Sequence, residues 1–97
     1  DNNSMIAVNI IGNSMDPSLK NGELLYFRPI SESKHISVDD IVLCKHPYIK
    51  DLKIVKRIKK IINGHYYVVG DNKMSFESTD SRSFGLLSPS KILGKLN

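Results

Sequence analysis

Residues 52–69 read LKIVKRIKKIINGHYYVV, and the fold class turns on how this stretch is read. The first part alternates apolar and basic residues imperfectly, the last part is β-branched and aromatic, and Asn63-Gly64 stands between them. Asn-Gly suits a two-residue hairpin, because both turn positions require positive φ. Residues 52–62 and 65–69 are therefore expected to pair as antiparallel strands. Working outward, residues 5–11 are rich in Ile and Val, 23–28 are short and apolar with Tyr26 and Phe27, and 40–45 form a compact apolar run. Turn signals at Asn21-Gly22 and Gly70-Asp71-Asn72 separate these segments. Single helical turns are expected at residues 16–20, begun by Pro17, and over Ser88-Pro89-Ser90-Lys91. Residues 73–83 are polar and read as a loop. The sequence thus predicts a mainly β domain of short antiparallel strands with one or two helical turns, a single unit over residues 1–97.

The chain is 40% hydrophobic and 25% charged, as in ordinary globular proteins. No apolar run approaches the roughly twenty residues of a spanning helix. No membrane span is expected, and a cytoplasmic location follows, or a membrane-associated one if an anchor precedes Asp1. Net charge is +4, concentrated in residues 50–60. That stretch is either a solvated strand face or a phosphate-binding one using Lys53, Lys56, Arg57, Lys59 and Lys60. Stacking aromatics do not interleave with these cations, so no nucleic-acid partner is expected. The single Cys44 has no internal disulfide partner and lies in an apolar run, as a small core residue does.

Gly12-Asn13-Ser14-Met15-Asp16-Pro17 follows an apolar strand and enters a turn. Such a turn exposes a serine Oγ and lets nearby N–H groups face a developing oxyanion, and Gly12 allows a substrate backbone close approach. Gly-Asn-Ser is also ordinary turn chemistry. A histidine base has three candidates, His35, His46 and His65, of which His46 just past a strand is the best placed. No Gly-x-Ser-x-Gly motif supports a triad. A lysine base must be neutral, and burial among apolar side chains favours that form. Lys56 is the candidate, since Ile54 and Ile58 share its strand face while Val55 and Arg57 take the other. Further on, Asp80 and Arg82 are two residues apart and share a face if the segment is extended. Ser78 and Ser81 offer hydroxyls to a buried amine. Asp71, Asn72, Glu77 and Asp80 do not follow calcium-loop spacing, which discounts a calcium loop; no other metal or cofactor is expected.

Taken in order, Gly12 to Leu19, Asp40-Ile41-Val42, Val55-Lys56-Arg57-Ile58 and Gly70-Asp71-Asn72 with Ser78-Thr79-Asp80-Ser81-Arg82 resemble the signal-peptidase-like serine peptidases. The resemblance implies a small signal-peptidase/LexA-like β-domain with a Ser/Lys dyad. Ser14 would be the nucleophile and Lys56 the general base, with the Ser14 backbone N–H in the oxyanion hole. Ser78 would orient the Lys56 amine, or Ser75 in its place, because the gap after Asn72 exceeds the family spacing. Gly70, Asp71, Asp80 and Arg82 would be structural supports. Some family members carry an oxyanion-binding serine two residues before the nucleophile; Gly12 occupies that position here. Within the group, the short chain, Cys44-Lys45-His46-Pro47-Tyr48, and Ser78 to Gly85 followed by Ile92-Leu93-Gly94-Lys95 resemble the small proteases that mature nickel-type superoxide dismutase. The implied substrate is a precursor protein cleaved near its N-terminus. A secretory signal peptidase without its anchor is the nearest alternative. A repressor-type self-cleaving domain is disfavoured, as no Ala-Gly pair lies upstream of Ser14.

Overall fold

A computed structural model describes residues 5–30, 35–74 and 79–96. Strands β1 (Ile6–Asn9), β2 (Leu24–Pro29), β3 (Ile41–Lys45), β4 (Lys53–Ile62), β5 (His65–Val69) and β6 (Ile92–Leu96) form one antiparallel sheet in the order β1-β2-β6-β3-β4-β5. The five strands expected from the sequence are present, with bounds moved by at most two residues. Asn63 and Gly64 adopt φ of 50° and 75°, as the hairpin requires. Lys59 is an extra residue in β4, so the register shifts between Ile58, opposite Val68, and Lys60, opposite Tyr67. This bulge is one reason the alternation along residues 52–62 is imperfect.

The other reason is that both faces of β4 are covered. Ile54 and Ile58 join Val42, Cys44, Val68, Phe84, Leu87 and Ile92 in one core. Val55 packs instead against Ile10, Met15 and Leu19, with Leu25, Ile41 and Leu96. Each such side chain contributes about 1.5–3 kcal/mol by leaving water. Cys44 is fully buried, as expected, and burial pushes its thiol up to about 12, with the nearness of Lys56 acting in the opposite direction.

The sequence reading missed β6, which runs between β2 and β3 and so joins the two halves of the sheet. A Cβ on its central Gly94 would lie 2.9 Å from the Arg28 carbonyl oxygen, so glycine is needed there even though it weakens the strand signal. The single helical turn expected at 16–20 lies one residue earlier, closed by Leu19 N–H to Met15 C=O at 2.9 Å, and the Asp16–Pro17 bond is cis. The loop expected over 73–83 needs correction. The supposed loop 73–83 contains the start of a short helix, α1 (Ser81–Phe84), capped by Asp80. The expected turn near Ser88 is a 3₁₀ helix, Pro89–Lys91. Among the described residues, no helix is long and apolar enough to cross a membrane.

Candidate active site

The loop carrying Ser14 is held from both sides. Gly12 takes φ of 88°, a left-handed conformation natural to glycine, and its N–H donates to Asn21 Oδ1 at 2.9 Å. Met15 and Leu19, 1% and 5% exposed, plug the loop into the second core. Opposite, the Asn72 N–H donates to the Ser14 carbonyl at 2.8 Å and the Asn72 amide to the Asn13 carbonyl at 2.9 Å. These bonds join the loop after β1 to the loop after β5. In a flat sheet those edge strands would stand roughly 24 Å apart, so the sheet is curled and Ser14 lies where its ends meet.

The Ser14 Oγ and Lys56 Nζ are hydrogen-bonded at 3.0 Å, across 42 residues of sequence. Lys56 is 3% exposed and stands between the buried Ile54 and Ile58, as the strand pattern predicted. Gly70 closes the third side. A Cβ there would lie 2.7 Å from the Ser14 carbonyl oxygen and 3.5 Å from Lys56 Nζ. Its role is therefore close approach of two backbones.

Two ion pairs brace this corner. Arg57 donates to Asp71 through Nε at 2.9 Å and through a terminal nitrogen at 2.7 Å, and also to the Asp39 carbonyl at 2.8 Å. The Arg57 hydrogen bond holds the Asp71 carboxyl below its usual range against desolvation, with help from Ser18; Asp71 in turn raises Arg57. Asp80, 1% exposed, accepts from the Arg82 guanidinium at 2.6 Å, the Arg82 N–H at 3.0 Å and the Gly70 N–H at 3.1 Å. Desolvation pushes this carboxyl up, and the hydrogen bonds from Arg82 and Gly70 together outweigh it, leaving it below the usual value. Asp80 and Arg82 do pair, but at a helix cap rather than on the extended segment expected.

The segment around α1 also seals one edge of the sheet. The outward N–H groups of β5 and the residue after it are taken in turn by Leu87 C=O at Tyr66, Ser81 Oγ at Val68 and Asp80 Oδ2 at Gly70. Ser81 thus serves the sheet edge. The opposite edge strand, β1, pairs with β2 on one side and with none of the described residues on the other. Because the Ile10 N–H donates to Glu23 C=O on the β2 side, the alternation of an antiparallel ladder turns the peptide groups of Ala7 and Asn9 outward. They face a groove of about 520 Å³ between β1 and the stretch from Leu52 to Lys56, with Ser14 and Lys56 in its lining. Ile11, 90% exposed, and Thr79 also border it.

Ser14, Lys56, Gly70, Asp71, Asp80 and Arg82 are thus gathered into one region, with Asp71, Asp80 and Arg82 bracing it from outside the Ser14–Lys56 contact. Ser78 and Ser75 lie outside the described residues. The sequence reading missed Asn72 as a clamp, since asparagine after Gly70-Asp71 reads as ordinary turn chemistry. It also missed Arg57 as the partner of Asp71. Of the cations aligned for phosphate binding, Lys56 is buried and Arg57 is engaged by Asp71. His46 Nδ1 accepts the N–H groups of Tyr48 and Ile49 at 3.1 Å, and its ring meets Phe84, so it organises the β3–β4 turn. Among the described residues, no three His, Cys, Asp or Glu side chains converge as metal ligands would.

No curated protein matches the chain. A family model does: residues 1–95 match Peptidase S24-like, almost the whole chain, in keeping with the small β domain and with a serine-peptidase-like function. The chain belongs to the Peptidase S24-like family.

Proposed function

We propose that the protein is a serine endopeptidase with a Ser14/Lys56 dyad that removes an N-terminal extension from a precursor protein. The observation that carries this reading is the 3.0 Å contact between Ser14 Oγ and the amine of Lys56, a residue 3% exposed, beside a groove along edge strand β1. Burial favours the neutral amine, which accepts the Ser14 proton as Oγ attacks the scissile carbonyl. The Ser14 N–H, which donates to none of the described residues, supplies an oxyanion donor. The amine then protonates the leaving nitrogen, and after the new N-terminus departs Lys56 takes a proton from the water that hydrolyses the acyl-enzyme. Ser78, or Ser75, orients the amine. The substrate enters extended and adds to β1 through the outward peptide groups of Ala7 and Asn9.

Mass spectrometry of precursor proteins incubated with the wild type, Ser14→Ala and Lys56→Arg tests this. Cleavage should drop by at least about 10³-fold in both variants, since alanine has no nucleophile and arginine does not deprotonate. Equal products from wild type and variants would overturn the dyad. The resemblance of residues 44–48 and 92–95 makes a nickel-type superoxide dismutase precursor the first substrate to try.

A further inference from the structure

Beyond the far end of the groove lies a second recess, about 410 Å³, between the β3–β4 turn and the 3₁₀ helix. It shares Leu52 and Lys53 with the groove, so the two adjoin at these residues. Lys45, Lys50, Lys53 and Lys91 line it against a single carboxylate, Asp51. None of these lysines forms an ion pair with a described residue, whereas Lys20 and Lys95 each have a carboxylate. Lys45 and Lys53 are moreover direct cross-strand partners. Like charges facing each other across a ladder oppose folding, and an anion between them would relieve that repulsion. Tyr48, 79% exposed, stands at the rim.

We propose that this recess receives an acidic segment of the substrate polypeptide. The inference rests on the peptidase reading above. The shared wall favours a polypeptide over a lipid surface, because a chain held in the groove reaches the recess at Leu52 and Lys53. Lys53 is three residues from Lys56 on β4, roughly 10 Å. At about 3.3 Å per extended residue, the acidic residues therefore begin about three positions from the scissile bond.

The test is cleavage of a proteome-derived peptide library, with residues around each new terminus read by mass spectrometry. Asp and Glu should be enriched at those positions on one side of the cut. In Lys45→Ala/Lys91→Ala, the enrichment should fall about fivefold, the combined effect of two exposed ion pairs, with neutral peptides cut as before. Random flanks, or enrichment unchanged in the variant, would overturn the proposal. If the double variant fails to fold, Lys45→Gln/Lys50→Gln replaces it. Fluorescence anisotropy of a labelled Glu-rich peptide and its Gln counterpart on the Ser14→Ala protein provides a readout independent of cleavage. Tighter binding of the Glu peptide, lost in the lysine variants, supports the recess even if the library is left uncut, an outcome that would defeat the peptidase reading alone. Equal binding of the two peptides overturns it. So does lysine-dependent sedimentation with phosphatidylserine vesicles in the absence of a Glu preference.

Discussion

A Cβ on Gly70 would stand 2.7 Å from the Ser14 carbonyl oxygen, and that oxygen is already held by the Asn72 N–H. Backbone on both sides leaves little room to yield. Gly70→Ala should therefore displace the serine loop, costing about 1–3 kcal/mol in stability. Cleavage should fall by about 10²-fold, since a small misplacement of reacting groups is enough. Thermal unfolding and peptide turnover measure the two effects separately; wild-type values for both would contradict the close-approach role. That Lys56 shares a face with Ile54 and Ile58 was legible from strand alternation, but not that this face is buried, since a strand lysine is ordinarily solvated. The Arg57–Asp71 pair was not legible either. It depends on the bulge at Lys59, which sets Arg57 opposite Val69, and nothing in the Lys59-Lys60 sequence announces an extra residue.

Among the elements, those built on β-branched runs were legible, and those supported by tertiary contacts were not. The helix α1 has four residues and owes its position to Asp80 at its cap, Ser81 on the Val68 N–H and Phe84 in the core. None of these partners is near in sequence except the cap. Strand β6 is short and interrupted by glycine, and it is fixed by neighbours on both sides. The contrast between edges gives a prediction for β1. Ala7→Pro removes an outward N–H while sparing the β2 ladder, a position where strands tolerate proline. Peptide cleavage should show KM raised by about tenfold with the fold retained by circular dichroism. An unchanged KM would place the substrate elsewhere.

For the molecule as a whole, the curled sheet makes the site a product of the entire fold. Ser14 comes from one edge and Gly70 to Asn72 from the other, and the carboxylates near that seam tie it to stability. Asp71 and Asp80 both titrate below the ordinary carboxylate value when folded. Their stabilisation is complete above the unfolded value, about 4, and is lost as pH falls through the lower folded values. Urea unfolding at pH 7 and pH 3 should show a weaker fold in acid. Asp80→Asn should lower stability at pH 7 by about 2 kcal/mol through weakened N–H bonds and should lessen the acid-induced fall. The Arg82 partner is half in water, so the Gly70 and Arg82 N–H groups account for more of this than the ion pair does. An acid response identical to wild type would contradict this assignment.

The position of β1 at the sheet edge also bears on self-association. Edge peptide groups that no described residue pairs accept any extended chain, including another molecule of the same protein. Here the strand is four residues long and ends near the left-handed turn at Gly12, so two copies meeting there can form only a brief ladder. A side chain forcing Gly12 out of that turn would let the strand run on, trading a docking edge for a polymerising one.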